Sequence, residues 1–74
     1  MKLLFHDRKP IAFSVVFDRE EDGRWIAEVP ELAGVMAYGR TRHEAKRRAE
    51  SIALRTLADR IENGERLSSA LIAA

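Results

Sequence analysis

The sequence predicts an α+β fold: a small antiparallel sheet with one helix packed on one face, in the order β-β-β-α-β. Three observations carry this. Residues 11–17 and 24–29 each read with a period of two, the pattern of strands with one buried face. An acidic turn, Asp18 to Gly23, separates them. From Thr41 onward the apolar residues recur at helical spacing instead.

In the first strand Phe13, Val15 and Phe17 point one way and Ala12, Ser14 and Val16 the other. The turn DREEDG ends in Asp-Gly, a pair suited to a hairpin loop. In the second strand Trp25, Ala27 and Val29 oppose Arg24, Ile26 and Glu28. Pro30 cannot donate to a ladder, so the strand ends there. Gly34 bends the chain, Val35 to Tyr38 make a short third strand, and Gly39 closes it. Thr41-Arg42-His43-Glu44 is a capping box, with Thr41 at the N-cap and Glu44 at N3. Ala45, Ala49, Ile52, Ala53, Thr56 and Leu57 share one side of the helix, and Asn63-Gly64 stops it. Leu67, Ser69 and Leu71 alternate with Ser68, Ala70 and Ile72, which predicts a fourth strand, with a short helix as its rival.

At 74 residues the chain is read as one domain, 1–74. A chain of this size hides only about 60% of the surface its unfolded form exposes. Without cysteine it has neither disulfides nor thiolate metal sites to compensate. On these strand phases Val16 and Ile26 lie on the uncovered sheet face, while Leu54, Ala58 and Ile61 lie off the buried helix stripe. That apolar surface predicts a homodimer or higher oligomer, or another protein partner. No apolar run suits a signal peptide or a membrane span, so a cytoplasmic, soluble protein is expected.

Catalytic patterns are missing. No serine sits in a Gly-x-Ser-x-Gly elbow, and the glycines are too dispersed to cradle a phosphate. His6 and His43 have no zinc spacing. The acidic turn lacks the pattern of a calcium loop. Asp18 and Glu28 are read as pointing to opposite faces, which leaves no carboxylate pair for a two-metal site. We therefore expect a binding protein and no enzyme, with no cofactor and no metal.

Charge is more informative in its placement than in its sum. Thirteen basic and 12 acidic residues give a net charge of +1. Yet Arg40, Arg42, Lys46, Arg47 and Arg48 crowd the helix N-terminus with Glu44 as the one acid among them. Cations there oppose the helix macrodipole. The cluster is a candidate anion-binding surface, for RNA phosphates or an acidic partner, with a merely solvated arginine-rich face as the alternative.

The stretch Asp22-Gly23-x-Trp25-x-Ala27-Glu28-Val29-Pro30-Glu31-Leu32-x-Gly34, followed by Gly39-x-Thr41-x-x-Glu44-Ala45, resembles the HicB-type antitoxin family over about residues 13–64. The resemblance implies a partial ribonuclease-H-like fold. It also implies binding to a small HicA-like toxin, an mRNA-cleaving ribonuclease resembling a double-stranded-RNA-binding domain, whose active surface is covered. Members commonly self-associate, and many carry a C-terminal DNA-binding module. Here the sequence ends at Ala74, so no such module is expected. Arg40 stands where members often have an acid, and Ala33 and Val35 where they often have Pro and Cys. The reading that follows is an antitoxin-like interaction module that inhibits a small basic toxin by occlusion. Glu20, Glu21 and Asp22 would supply charge complementarity, and Trp25 and Ile26 apolar contact, with a core position as the alternative for Trp25. The competing reading is an RNA-binding homo-oligomer that uses Arg40 to Arg48.

Overall fold

A computed structural model describes residues 10–72 of the chain. Strands β1 (Val16–Arg19), β2 (Trp25–Glu28) and β3 (Met36–Gly39) form one antiparallel sheet in the order β1-β2-β3, and helix α1 (Arg42–Glu62) packs on it. His6 and the rest of residues 1–9 lie outside the described part, as do residues 73–74.

Register assigns the faces. Phe17 pairs with Ala27 and Ala27 with Ala37; Arg19 pairs with Trp25 and Trp25 with Gly39. These side chains lie toward the helix. Asp18, Ile26 and Tyr38 form one row on the opposite face, and Val16, Glu28 and Met36 the next. The core is built in two parts. Ala27 and Ala37 meet Ala45 and Ala49, flanked by Val15, Phe17 and Trp25. Val29, Leu32, Val35, Ala53, Leu57 and Leu71 fill the other end, with Ile11, Phe13 and Leu67 against them.

The alanines let helix and sheet approach closely, and Gly39 sets the limit. A Cβ on Gly39 would stand 2.9 Å from the Ala45 Cα and nearer still to its amide nitrogen. At the helix start the Glu44 amide donates to Thr41 Oγ1 at 3.0 Å, as the capping box requires. The reciprocal bond is displaced by one residue: the Glu44 carboxylate accepts from the Arg40 amide at 3.3 Å. At the other end Asn63 is the C-cap and Gly64 takes a positive φ of 71°. The Gly64 amide donates to the Ile61 carbonyl and the Glu65 amide to that of Arg60, a Schellman ending.

Ile52, expected on the buried side of the helix, is exposed, and three further expectations change. The first strand is shorter than 11–17. Residues 11–15 keep the alternation of half-buried and exposed side chains, but the ladder ends at the pair Val16–Glu28. In the same register Ser14 would face Pro30, which has no amide to donate. The Ser14 amide and hydroxyl instead donate to the Glu31 carboxylate, at 3.0–3.1 Å and 2.8 Å. These bonds hold the Glu31 carboxyl below its ordinary value of 4.5.

The predicted fourth strand is not among the described residues. Ser68 Oγ accepts from the Ala70 amide at 3.2 Å, and Ser69–Leu71 wind into one turn of 3-10 helix. That local bond competes with an extended chain. The turn drives Leu71 fully into the core. Among the described residues its backbone is tied to the N-terminal side by an isolated antiparallel bridge, Ile11 to Ile72, and by the bond from the Ala12 amide to the Leu71 carbonyl.

The third correction concerns Asp18 and Glu28. The hairpin pairs Asp18 with Ile26 and Val16 with Glu28, so both carboxylates stand diagonally on the same open face. Residues of equal parity share a face across this hairpin, contrary to the expectation of opposite phases.

Two stability predictions follow from these contacts. Gly39→Ala forces helix and sheet apart and costs about 1–3 kcal/mol, more than Gly64→Ala, which meets nothing within 4 Å and strains only the backbone. Thermal unfolding of the two variants compares them directly; equal losses would mean that the close approach at Gly39 is unimportant. Glu31→Gln tests the clamp on Ser14. A depressed carboxyl stabilises the fold fully above its unfolded value and loses that contribution as pH falls through the folded one. The wild-type melting temperature should therefore exceed that of the variant at neutral pH, and the gap should close below pH 4.5. A gap constant into acid would show that the carboxylate's charge contributes nothing.

Candidate functional site

The helix covers one sheet face and leaves the other uncovered. On the open face Val16, Met36 and Tyr38 are 47%, 43% and 41% exposed. Ile26 is half-buried between them. A shallow cleft of about 260 Å³ runs between β1 and β2, lined by Val16, Ile26, Asp18 and Glu28. Apolar walls with a carboxylate on either side suit the stem and head of a lysine or arginine side chain.

The hairpin tip carries Glu20, Glu21 and Asp22. Its turn is fixed by the Glu20 amide on the Arg24 carbonyl at 2.8 Å and the Gly23 amide on the Glu20 carbonyl at 2.9 Å. Asp22 is engaged within the tip. It accepts from the Arg24 amide at 3.0 Å and pairs with Arg24 Nε at 2.7 Å, and those bonds draw its carboxyl below its ordinary value. Glu20 and Glu21 are the acids of the tip without such a partner among the described residues.

The five residues expected to bind a partner do not form one surface. Glu20, Glu21 and Asp22 cluster at the tip, and Ile26 lies on the open face. Trp25 turns to the helix side, half-buried against the alanine cluster, with the Arg19 guanidinium 5.1 Å from its ring centroid. The open face adds Val16, Asp18, Glu28, Met36 and Tyr38, of which only Val16 had been placed there from the sequence. The signal was available in the parity of the hairpin register.

The basic cluster is divided by the helix. Arg42 and Lys46 face the β1 side and line a groove of about 870 Å³ with Phe13, Val15 and Phe17. There the Arg42 guanidinium lies 4.3 Å from the Phe17 ring centroid. Arg47 and Arg48 face the β3 side, with Arg55 from further along the helix. Arg40 joins them just past β3, together with Arg24, the residue before β2. Arg48 donates to the Tyr38 carbonyl at 3.1 Å and pairs with Glu44 at 3.1 Å.

Among the described residues no polar or charged side chain is buried, and no three His, Asp or Glu side chains converge to hold a metal ion. No helix among them is long and apolar enough to cross a membrane. What the surface offers chemically is complementary binding: an acidic-apolar sheet face and a basic flank beside β3. Comparison of the chain with protein-family models, with curated proteins and with solved structures finds no match in any of the three.

Proposed function

We propose that this chain is an antitoxin-like interaction module that inhibits a small basic RNA-cleaving protein by occluding its active surface. The observation that supports it is the uncovered sheet face, where Asp18 and Glu28 bracket the cleft between Val16 and Ile26. A HicA-like ribonuclease must present cations to hold RNA phosphates. The same cations would meet Asp18, Glu28 and the nearby Glu20 and Glu21, while Val16, Ile26 and Met36 supply apolar contact. No bond of either partner is made or broken; inhibition is exclusion of RNA. This placement moves the centre of the interface from the hairpin tip to the open face, with the tip as a charged rim that governs encounter.

Self-association belongs to the same proposal. Leu54, Ala58 and Ile61 follow i, i+4, i+7 spacing on the outer side of α1, and Leu54 is 60% exposed. Two such stripes from two copies form a short helix–helix seam that leaves both open sheet faces accessible.

Titration of the chain with a HicA-type ribonuclease, with RNA cleavage as second readout, tests the reading. Stoichiometric inhibition is expected. Asp18→Lys with Glu28→Lys should weaken binding by about 2–4 kcal/mol. Glu20→Lys with Glu21→Lys should mainly slow association and flatten its salt dependence. Cleavage unaffected by excess chain would refute the proposal, and unchanged binding by the Asp18/Glu28 variant would remove the open face from the interface. For the seam, Leu54→Glu should convert a dimer to a monomer in sedimentation equilibrium; a monomeric wild type would dismiss it.

A further inference from the structure

The β3 flank of the molecule holds a second surface, which adjoins the open face at Tyr38. Arg40, Arg47, Arg48 and Arg55 line two adjoining grooves of about 460 and 740 Å³ that share Tyr38 and Arg48. Arg24, the residue before β2, reaches the same place, its guanidinium 4.5 Å from the Tyr38 ring centroid. Five guanidinium groups thus meet two carboxylates, Asp22 and Glu44, each already paired with one of them. The surplus is positive by three charges. It is gathered around an aromatic ring that is 41% exposed.

We infer that this flank binds single-stranded nucleic acid, with the arginines on the phosphates and Tyr38 with Arg24 as the stacking platform for a base. Three features favour this ligand. Arg48 and Arg55 lie seven residues apart on one side of the helix, about 10 Å along its axis, so that cations follow a path instead of focusing on a point. Aromatic rings and guanidinium planes are the groups on which unpaired bases stack without regard to sequence. An acidic peptide would dock best by adding a strand to the β3 edge. That edge is obstructed, because Arg48 occupies the outward Tyr38 carbonyl at 3.1 Å. A phosphate chain lying over the guanidinium groups needs no edge hydrogen bonds.

The arrangement also accounts for arginines that the fold does not use. Arg48 braces Glu44 and β3, and Arg24 braces Asp22. No hydrogen bond or ion pair among the described residues engages the side chains of Arg40 or Arg47.

Fluorescence anisotropy with a labelled oligouridylate of roughly ten nucleotides tests the inference on the intact chain, with polyglutamate of equal length as the competing probe. Binding should weaken with salt with a logarithmic slope of about −2 to −3.5, corresponding to three to five phosphate contacts. Arg47→Ser with Arg55→Ser should lower affinity at least about tenfold and shallow the slope by about 1.4. Tyr38→Ala should lower it roughly 5- to 150-fold. Arg42→Ser with Lys46→Ser, on the opposite flank, should change it less than about twofold. Circular dichroism of each variant verifies the fold, and Arg47 and Arg55 are exposed positions whose removal leaves the core intact. The inference is overturned by an oligouridylate that fails to bind at low salt. It is equally overturned by equal losses from both flanks, which would mean undirected cation binding, or by polyglutamate binding as tightly with no effect of Tyr38→Ala, which would mark an acidic protein surface.

Discussion

The close approach of α1 to the sheet is the constraint on which the rest depends. Gly39 touches the helix backbone at Ala45, and Ala45 and Ala49 lie over Ala27 and Ala37. With side chains this small, the helix sits low over Ala27 and Ala37 and leaves Phe17 and Trp25 half-buried beside it. The cost is a core with little apolar volume there. Larger side chains are displaced to the far end, where Val29, Leu32, Val35, Leu57 and Leu71 meet. Because one helix is the whole covering layer, the second sheet face has nothing from the described chain to bury it. The exposed Val16, Met36 and Tyr38 around half-buried Ile26 are therefore a consequence of the fold's economy.

The same docking decides where charge can go. Thr41 and Glu44 satisfy amides at the helix start, which offsets the cations that oppose the macrodipole. Their distribution follows from 100° per residue. Arg42 and Lys46 fall to the β1 side, where Phe17 receives Arg42. Glu44, Arg48 and Arg55 fall to the β3 side, where the Tyr38 carbonyl receives Arg48. A cluster that is contiguous in sequence becomes two surfaces in space, and one of them recruits Arg24 and Arg40 from strand ends.

Local chemistry made much of this legible before any coordinates. The hairpin rests on Asp22-Gly23, the second strand on its alternation and Pro30, and the helix on Thr41 and on the Asn63-Gly64 stop. Each is decided within a few residues. What escaped depends on partners far away. The alternation after Arg66 resembles a strand, but a strand needs a neighbour, and Ser68 offers its own amide bond to a tighter turn. The Glu31 carboxylate completes what Pro30 cannot, holding Ser14 across the gap where the ladder ends. The faces of Asp18 and Glu28 follow from neither strand's alternation alone, because the register of one hairpin ties them together.

A net charge of +1 hides an asymmetric molecule. Asp18, Glu28, Glu20 and Glu21 gather on the open face and its hairpin tip, whereas Arg40, Arg47, Arg48 and Arg55 gather along the β3 flank. Tyr38 stands at the boundary, on the open face by register and in the basic grooves by contact. Surfaces of opposite sign that meet at one residue cannot be filled independently. A basic protein centred over Asp18 and Glu28 leaves Arg47 and Arg55 exposed, but it competes for Tyr38 if it extends past Met36. Nucleic acid on the flank brings phosphates toward the rim of the face that a basic partner would seek. Were both proposed ligands to bind, they would either exclude one another or join in one complex whose charges neutralise across that boundary, depending on how far each reaches. A single strand, β3, brings the two surfaces together, because its four residues present one face to the sheet surface and one edge to the arginines.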